Sequence, residues 1–287
     1  MSIARSLATY SSLVKLGHTV FALPFALAAV ILATRYAPFT LGKLLLIVVC
    51  IAAARTAAMA FNRLIDRDID GQNPRTRDRE LPRGAVSVNA VRLLVLAASA
   101  IFFVAAGMLG RLPLLLSPIA LGLALGYSYT KRFTALCHVV LGLAVAFAPG
   151  GAWIAMGAPV TLAPWLLVIG VASWVAGFDV LYSLQDVGFD RDNRLRSIPA
   201  RLGVPGALVV SALLHVVTVG CLFGTGLLLE RGLPYMAGVL LVGTLLGYEH
   251  AIVKPSDLSR IDKAFFDLNG YVSVGFFACV LADQLVA

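Results

Sequence analysis

The sequence predicts an all-α protein that crosses a membrane about nine times. Three observations support this fold class. The chain of 287 residues is 60% hydrophobic and only 13% charged, whereas a soluble domain is about half apolar and about a quarter charged. The apolar residues form stretches of about the 20 residues that a membrane-spanning helix needs. The basic residues concentrate in alternate loops, which is typical of a polytopic membrane protein.

The predicted spans follow one another without a long polar region, so we expect a single membrane-embedded domain over residues 1–287. Pro, Gly and charged residues separate the spans. The nine predicted spans are 16–34, 42–65, 89–110, 112–128, 136–156, 164–187, 206–229, 234–252 and 264–286.

The basic residues also predict the orientation of the chain. Of the 23 Lys and Arg residues, 17 lie on the N-terminal side or in the loops after spans 2, 4, 6 and 8. Basic residues accumulate on the cytoplasmic side of membrane proteins. We therefore expect a cytoplasmic N-terminus and an external C-terminus, in the inner (plasma) membrane if the source is bacterial. The same rule explains the net charge of +8 without a nucleic-acid partner.

Two Asp pairs with the same spacing are the main candidates for function. Asp66 and Asp70 follow span 2, and Asp186 and Asp190 lie at the end of span 6, with 120 residues between corresponding members. An Arg-rich stretch and a turn that contains Arg and Gly follow each pair. We interpret this pattern as a divergent internal repeat, with related halves at about 10–130 and 131–287 and both pairs at the cytoplasmic edge.

The chemistry of these pairs favours a divalent metal. Residues four apart share a helix face, so Asn62, Asp66 and Asp70 would form one stripe. Neighbouring carboxylates repel each other unless a cation lies between them, and hard oxygen ligands suit Mg²⁺, which also binds substrate phosphates. Two facing pairs could therefore hold Mg²⁺ ions that bridge a pyrophosphate. The alternative is that these Asp residues are solvated or pair with Arg, and we expect a solvated side chain for Asp68, which lies off the stripe.

Charged residues deeper in the same spans predict a second part of the site. Arg55 lies seven residues before Asn62, and Asp179 lies seven before Asp186. Charge inside a membrane is unfavourable and is usually functional. Arg55 could bind the carboxylate of a small acid, and Asp179, beside Tyr182, could hydrogen-bond a hydroxyl or accept a proton. The alternative is an Arg55–Asp179 ion pair that only stabilises the fold.

A transporter of cations or organic anions is the alternative from another functional class. It would also have intramembrane carboxylates and internal repeats. However, both Asp pairs are predicted at the edge of the membrane rather than at its centre, and both lie beside Arg-rich stretches. These features favour an enzyme that ionises a diphosphate.

The residues around both pairs resemble the UbiA-type intramembrane aromatic prenyltransferases. Residues 62–70 resemble the first Asp-rich motif of that family, N-x-x-x-D-x-x-x-D, and residues 179–190 resemble the second, D-x-x-Y-x-x-x-D-x-x-x-D. Residues 127–132 resemble a segment of the 4-hydroxybenzoate polyprenyltransferases. The resemblance covers about 15–286. It departs from the family at Arg63, where many members have Asp.

The resemblance implies a ring of nine helices around a central cavity, and Mg²⁺-dependent transfer of a polyprenyl chain from its diphosphate to a small aromatic acid. The implied acceptor is 4-hydroxybenzoate, as in ubiquinone biosynthesis, or 1,4-dihydroxy-6-naphthoate, as in menaquinone biosynthesis by the futalosine route. The polyprenyl tail would lie along apolar helices next to the bilayer. The implied metal-site residues are Asp66, Asp70, Asp186, Asp190 and Asn62. The basic residues expected near the diphosphate are Arg67, Arg75, Lys131 and Arg132.

Overall fold

The computed structural model describes residues 9–15 and 19–286. Every regular element in this part of the chain is helical, apart from one isolated bridge between Lys254 and Asp257, which confirms the predicted all-α class. Short 3₁₀ and π turns cover Ser183–Asp186 and Ala264–Leu268. Within residues 19–286, the helices of more than one turn are α1 (Thr19–Ala33), α2 (Leu41–Ile65), α3 (Arg67–Gln72), α4 (Val88–Leu109), α5 (Arg111–Thr130), α6 (Cys137–Met156), α7 (Leu162–Tyr182), α8 (Val187–Asp192), α9 (Ile198–Leu228), α10 (Leu233–Ile252) and α11 (Asn269–Val286).

Eight helical segments in residues 19–286 are long and apolar enough to cross a membrane. They correspond to the second to ninth predicted spans. The first predicted span, 16–34, contains α1, which has 15 residues and is shorter than the other eight. Residues 16–18, the first three of this predicted span, lie outside the described part of the chain. The prediction of about nine spans is therefore confirmed for eight by length, and α1 is a shorter apolar helix.

The described residues form two compact units. Unit 1 contains those within Met1–Thr19 together with Leu44–Tyr129, and unit 2 contains Val20–Lys43 with those within Thr130–Ala287. The first Asp pair therefore belongs to unit 1 and the second to unit 2. The predicted internal repeat, with halves at about 10–130 and 131–287, stays a prediction.

Small residues bring the helices of unit 1 together. Ala53 and Ala57 of α2 are buried in one cluster with Ala98 and Phe102 of α4 and Leu121 of α5. Helices in a membrane gain little from hydrophobic burial against each other, because lipid is equally apolar. Close contact between small side chains therefore holds α2 and α4 together and positions the end of α2.

Unit 2 is built around α7, which is apolar on all sides, as expected of a helix that other helices surround. Trp174 of α7 packs on Phe25 of α1, with 4.9 Å between the ring centroids. On another face, Gly142 of α6 lies so close to α7 that a Cβ there would overlap the carbonyl oxygen of Ala172. These contacts fix α7, which ends at the second Asp motif.

A short helical stretch precedes the seventh predicted span, 206–229, and a kink at Gly203 separates the two. This stretch begins α9 at Ile198, and Ser197 caps it by accepting a hydrogen bond from the Ala200 amide at 3.2 Å. Pro199 stands in the first turn, where proline is favoured. Gly203 has φ 72° and interrupts the helix, which explains why the sequence indicates a turn there.

Candidate active site

The first Asp pair lies at a break between two helices. Helix α2 ends at Ile65 and α3 begins at Arg67, with Asp66 between them at φ −94° and ψ 4°. The backbone hydrogen bonds nevertheless continue across the break. Asp66 N donates to Asn62 O at 2.9 Å, and Asp70 N donates to Asp66 O at 2.7 Å. The prediction of one continuous helix is therefore wrong, but the predicted one-turn spacing of the pair is kept.

Both carboxylates of this pair have polar partners within unit 1. Asn62 Nδ2 donates to Asp66 Oδ2 at 2.8 Å, so two predicted site residues are in contact. Asp70 is buried, and Arg79 Nη1 lies 2.7 Å from each of its carboxylate oxygens. Thr76 Oγ1 also donates to the Asp70 carbonyl at 3.0 Å. The sequence did not single out Arg79, because it is one of several Arg residues in the same loop.

Positive charge surrounds the first motif. Arg63, at the end of α2, is buried. Burial and the charges of Arg63 and Arg79 lower the pKa of Lys15 below its ordinary value. Burial alone would raise the pKa of Glu80, but a hydrogen bond with Ser12 and the charges of Arg63 and Lys15 lower it instead. Lys15, Arg63 and Arg79 are thus three cations near the carboxylates of Asp70 and Glu80. Such an environment suits an anionic ligand.

The other predicted basic residues of unit 1 lie in three different environments. Arg67 is exposed, and its Nε lies 3.0 Å from Oδ1 of Asp68, which is solvated as predicted. Arg75 is exposed, and its backbone amide donates to Asn73 Oδ1 at 2.9 Å. Arg55 lies within α2, where its Nε is buried and has no hydrogen-bond partner among the described residues. Of these three residues, Arg55 has the buried donor that a ligand could satisfy.

The second Asp pair also lies at a break. Helix α7 ends at Tyr182, a 3₁₀ turn covers Ser183–Asp186, and α8 begins at Val187. Asp186, between the turn and α8, has φ −105° and ψ 5°, close to the backbone angles of Asp66. The predicted continuous helix to residue 187 is therefore wrong in the same way as in the first motif.

Asp190 is the most enclosed carboxylate of the two pairs. Its side chain is fully buried, with Lys131 Nζ at 2.7 Å from Oδ1 and Ser197 Oγ donating to Oδ2 at 2.9 Å. Asp186 is buried as well, and Arg132 is partly buried. Lys131 and Asp190 are thus two predicted site residues in direct contact. Ser197 was not predicted, although its place at the start of a helix is a recognisable sequence signal.

Asp179 has a partner within unit 2. Its Oδ2 lies 2.7 Å from Nδ1 of His138, a buried residue in the first turn of α6. Tyr182, one turn further along α7, stacks on Phe265 with 4.0 Å between ring centroids. The stacking fixes the predicted Tyr182 ring beside the turn that carries the second motif.

The donor groups of both motifs fit Mg²⁺ that is bound together with phosphate. Within residues 9–15 and 19–286, no three His, Cys, Asp or Glu side chains lie close enough to hold a metal ion by themselves. Mg²⁺ commonly binds one or two carboxylates and completes its octahedral shell with water and substrate phosphates. Each motif supplies two carboxylates one turn apart, so its donor set suits such a complex.

Comparison with known sequences gives one consistent result. The sequence model of the UbiA prenyltransferase family matches residues 22–273. The 4-hydroxybenzoate octaprenyltransferase of Nitrosospira multiformis is 32% identical over 246 residues, which cover 86% of this chain and 84% of that protein. The protein of the same name from Pseudoalteromonas translucida is 30% identical over 276 residues, covering 96% and 91%.

Solved structures agree with the sequence comparison. The apo structure of a UbiA homologue from Aeropyrum pernix K1 has a TM-score of 0.85 and 37% identity, and the match covers 93% of this chain and 98% of that one. A UbiA homologue from Archaeoglobus fulgidus bound to GPP and Mg²⁺ has a TM-score of 0.77 and 20% identity, with 96% and 99% covered. At 20% identity, the similarity to the Archaeoglobus fulgidus structure shows a shared fold.

Proposed function

The chain belongs to the UbiA prenyltransferase family, and from this premise we propose that it transfers a polyprenyl chain from polyprenyl diphosphate to 4-hydroxybenzoate. It is an integral, multi-pass membrane enzyme of the transferase class. The observation that carries the proposal is that each motif brings a buried carboxylate next to a cation, Asp70 beside Arg79 and Asp190 beside Lys131. Asp70 has the Arg partner that the structural alternative also predicts, and in this proposal that Arg binds the diphosphate. Carboxylates for Mg²⁺ and cations for phosphate oxygens are the two groups that a Mg²⁺–diphosphate complex needs. The names of the curated relatives support the acceptor.

We assign the diphosphate to the two Asp motifs. When bound, Mg²⁺ supplies Lewis-acid stabilisation of the diphosphate leaving group. The cations of the chain bind the same group and stabilise the charge that grows on it as the allylic C–O bond breaks and its electron pair leaves with the diphosphate. The metal ligands in this proposal are Asp66, Asp70, Asp186 and Asp190, with Asn62. The cations are Arg67, Arg75, Arg79, Lys131 and Arg132.

We assign the acceptor to Arg55 and Asp179. Arg55 has a buried donor without a partner, which a carboxylate of the acceptor would satisfy. Asp179 accepts a hydrogen bond from the ring hydroxyl. A ring carbon of the acceptor forms the new bond to the allylic carbon and then loses its proton, for which Asp179 is the candidate base. The polyprenyl tail stays beside the apolar helices, and the proposed orientation places both motifs on the cytoplasmic side.

The proposed function is tested with purified protein in lipid nanodiscs, octaprenyl diphosphate and Mg²⁺. We expect 4-hydroxybenzoate to be prenylated, with one pyrophosphate released per product, and no turnover in EDTA. Mass spectrometry identifies the product. If only 1,4-dihydroxy-6-naphthoate is prenylated, the acceptor assignment is wrong and the transferase assignment stands. If neither acceptor is prenylated and no pyrophosphate appears, the proposal fails.

Replacement of Arg55 by Gln is expected to raise the KM for 4-hydroxybenzoate by about 10- to 100-fold, since a hydrogen bond to a charged group contributes about 1.5–3 kcal/mol. The KM for the prenyl diphosphate should stay unchanged. Steady-state kinetics with each substrate varied in turn measures both values.

An acceptor without a carboxylate provides the control for Arg55. With phenol, the wild type and Arg55→Gln should turn over at similar low rates, because the contact that the substitution removes is absent in both. A large difference with phenol would mean that Arg55 acts on the fold or on the diphosphate and not on the carboxylate of the acceptor.

A further inference from the structure

His138 is a buried histidine with a defined partner on each ring nitrogen. Its side chain is 3% exposed. Nδ1 lies 2.7 Å from Oδ2 of Asp179 in α7, and Nε2 lies 3.4 Å from the backbone nitrogen of Ile198 at the start of α9. The imidazole therefore joins three helices of unit 2, because His138 itself belongs to α6.

The contact with Ile198 assigns the tautomer of the neutral ring. A backbone amide can only donate, so a neutral imidazole in this arrangement accepts at Nε2 and carries its single proton on Nδ1. The Nδ1–H group donates to Asp179. The distance of 2.7 Å is short, as is typical of a hydrogen bond to a charged carboxylate.

Asp179 keeps one carboxylate oxygen for a ligand. His138 occupies Oδ2, and no donor among the described residues contacts Oδ1. The Asp179 side chain is 24% exposed, in contrast to the buried ring behind it. A carboxylate that is held on one side and accessible on the other is oriented in the way that supporting hydrogen bonds orient metal ligands and catalytic groups.

The chain segments that hold Asp179 also hold Asp190. Arg196 N donates to Lys131 O at 2.7 Å, which joins residues 131–138 to the start of α9. Lys131 and Ser197, one from each segment, contact the two oxygens of Asp190 at 2.7 and 2.9 Å. One hydrogen-bonded frame within unit 2 thus sets the position of Asp179 relative to Asp190.

We propose that His138 is a positioning residue, which fixes Asp179 so that Oδ1 accepts the hydrogen bond from the ring hydroxyl of the acceptor. This inference rests on the proposed function. His138 contacts neither the acceptor nor the diphosphate in this arrangement. Its loss therefore changes the use of the acceptor and leaves the KM of the prenyl diphosphate unchanged.

Two isosteric variants separate the roles of the two ring nitrogens. In His138→Asn, the side-chain amide takes the place of Nδ1 and can still donate to Asp179. In His138→Gln, the amide takes the place of Nε2 and can still accept from Ile198. We expect kcat/KM for the acceptor to stay close to wild type in His138→Asn and to fall about 10- to 100-fold in His138→Gln, the usual effect of removing a supporting hydrogen bond.

A purely structural role would give the opposite order. If His138 serves mainly to anchor the start of α9, His138→Asn will have the lower kcat/KM for the acceptor, and the proposal is wrong.

A double-mutant cycle adds a second criterion. In an Asp179→Asn background, His138→Gln should cause little further loss, whereas independent, multiplying losses would overturn the proposal.

The state of the ring is measured without turnover. In ¹⁵N-histidine NMR spectra of the wild type, His138 should show a protonated Nδ1, and Asp179→Asn should shift the Nδ1 signal. The opposite tautomer, or no response to Asp179→Asn, would contradict the proposal. Wild-type turnover tests the proposed function, whereas the order of the variants and the spectra test the role of His138, so the two failures can be told apart.

Discussion

The variant Asp190→Asn is expected to lose about 10²- to 10³-fold in kcat, the usual effect of removing one group that stabilises transition-state charge. Asp190 is fully buried between Lys131 and Ser197. The amide keeps the shape and can still bind the serine hydroxyl, but it removes the negative charge that Mg²⁺ ligation needs. Rates at saturating substrate, measured over a series of Mg²⁺ concentrations, test this result.

Asp192→Asn is the matched control. Asp192 lies two residues further along α8 and is exposed, so its loss should change kcat by less than about twofold, as for most surface substitutions. If Asp190→Asn retains full activity, the second motif does not bind the metal. If both variants lose activity together, α8 has lost its structure, and the thermal unfolding midpoint of each variant will show this directly.

The variant Gly142→Ala is expected to lower the free energy of unfolding by about 3 kcal/mol, the upper end of the range for overpacked sites. The added methyl group would overlap the carbonyl oxygen of Ala172 in α7. Backbone atoms cannot rotate away as a side chain can, so α6 and α7 must move apart. Unfolding in a titration with sodium dodecyl sulfate measures the loss.

Gly151→Ala is the comparison on the same helix. A Cβ at Gly151 has no atom within 4 Å, so this variant should be unchanged or more stable by up to about 1 kcal/mol through helix propensity. Equal losses in both variants would show that α6 does not tolerate alanine generally and that the contact with Ala172 has no special effect.

Hydropathy predicted eight of the nine spans because lipid imposes a strong condition on sequence: backbone groups must be satisfied within a helix of sufficient length. The breaks at Asp66 and Asp186 had no such signal. The i to i−4 hydrogen bonds persist through the first break, so the four-residue spacing of the carboxylates is the same for a continuous and an interrupted helix. Spacing thus predicted the one-turn separation of Asp66 and Asp70 correctly and the shape of their backbone incorrectly.

The partners of the carboxylates depend on tertiary packing. Five Arg residues follow span 2 closely in the sequence, and nothing local distinguishes Arg79 from the others. His138 and Asp179 are 41 positions apart and meet only because α6 packs against α7. Ser197 has a local signal, because a serine two residues before a proline indicates the start of a helix. That signal indicates the start of α9, whereas the contact of Ser197 with Asp190 depends on the fold.

The length of α2 gives the candidate site a depth that matches an amphiphilic substrate. Its 25 residues rise about 37 Å at about 1.5 Å per residue, which exceeds the hydrocarbon thickness of about 30 Å. Asp66, directly after the helix, therefore reaches the aqueous boundary, where ions and phosphate arrive from water. Arg55 lies about 16 Å lower along the same axis. A molecule with a charged head and an apolar tail can approach this helix in only one direction, with its head at the Asp66 end and its tail already in lipid.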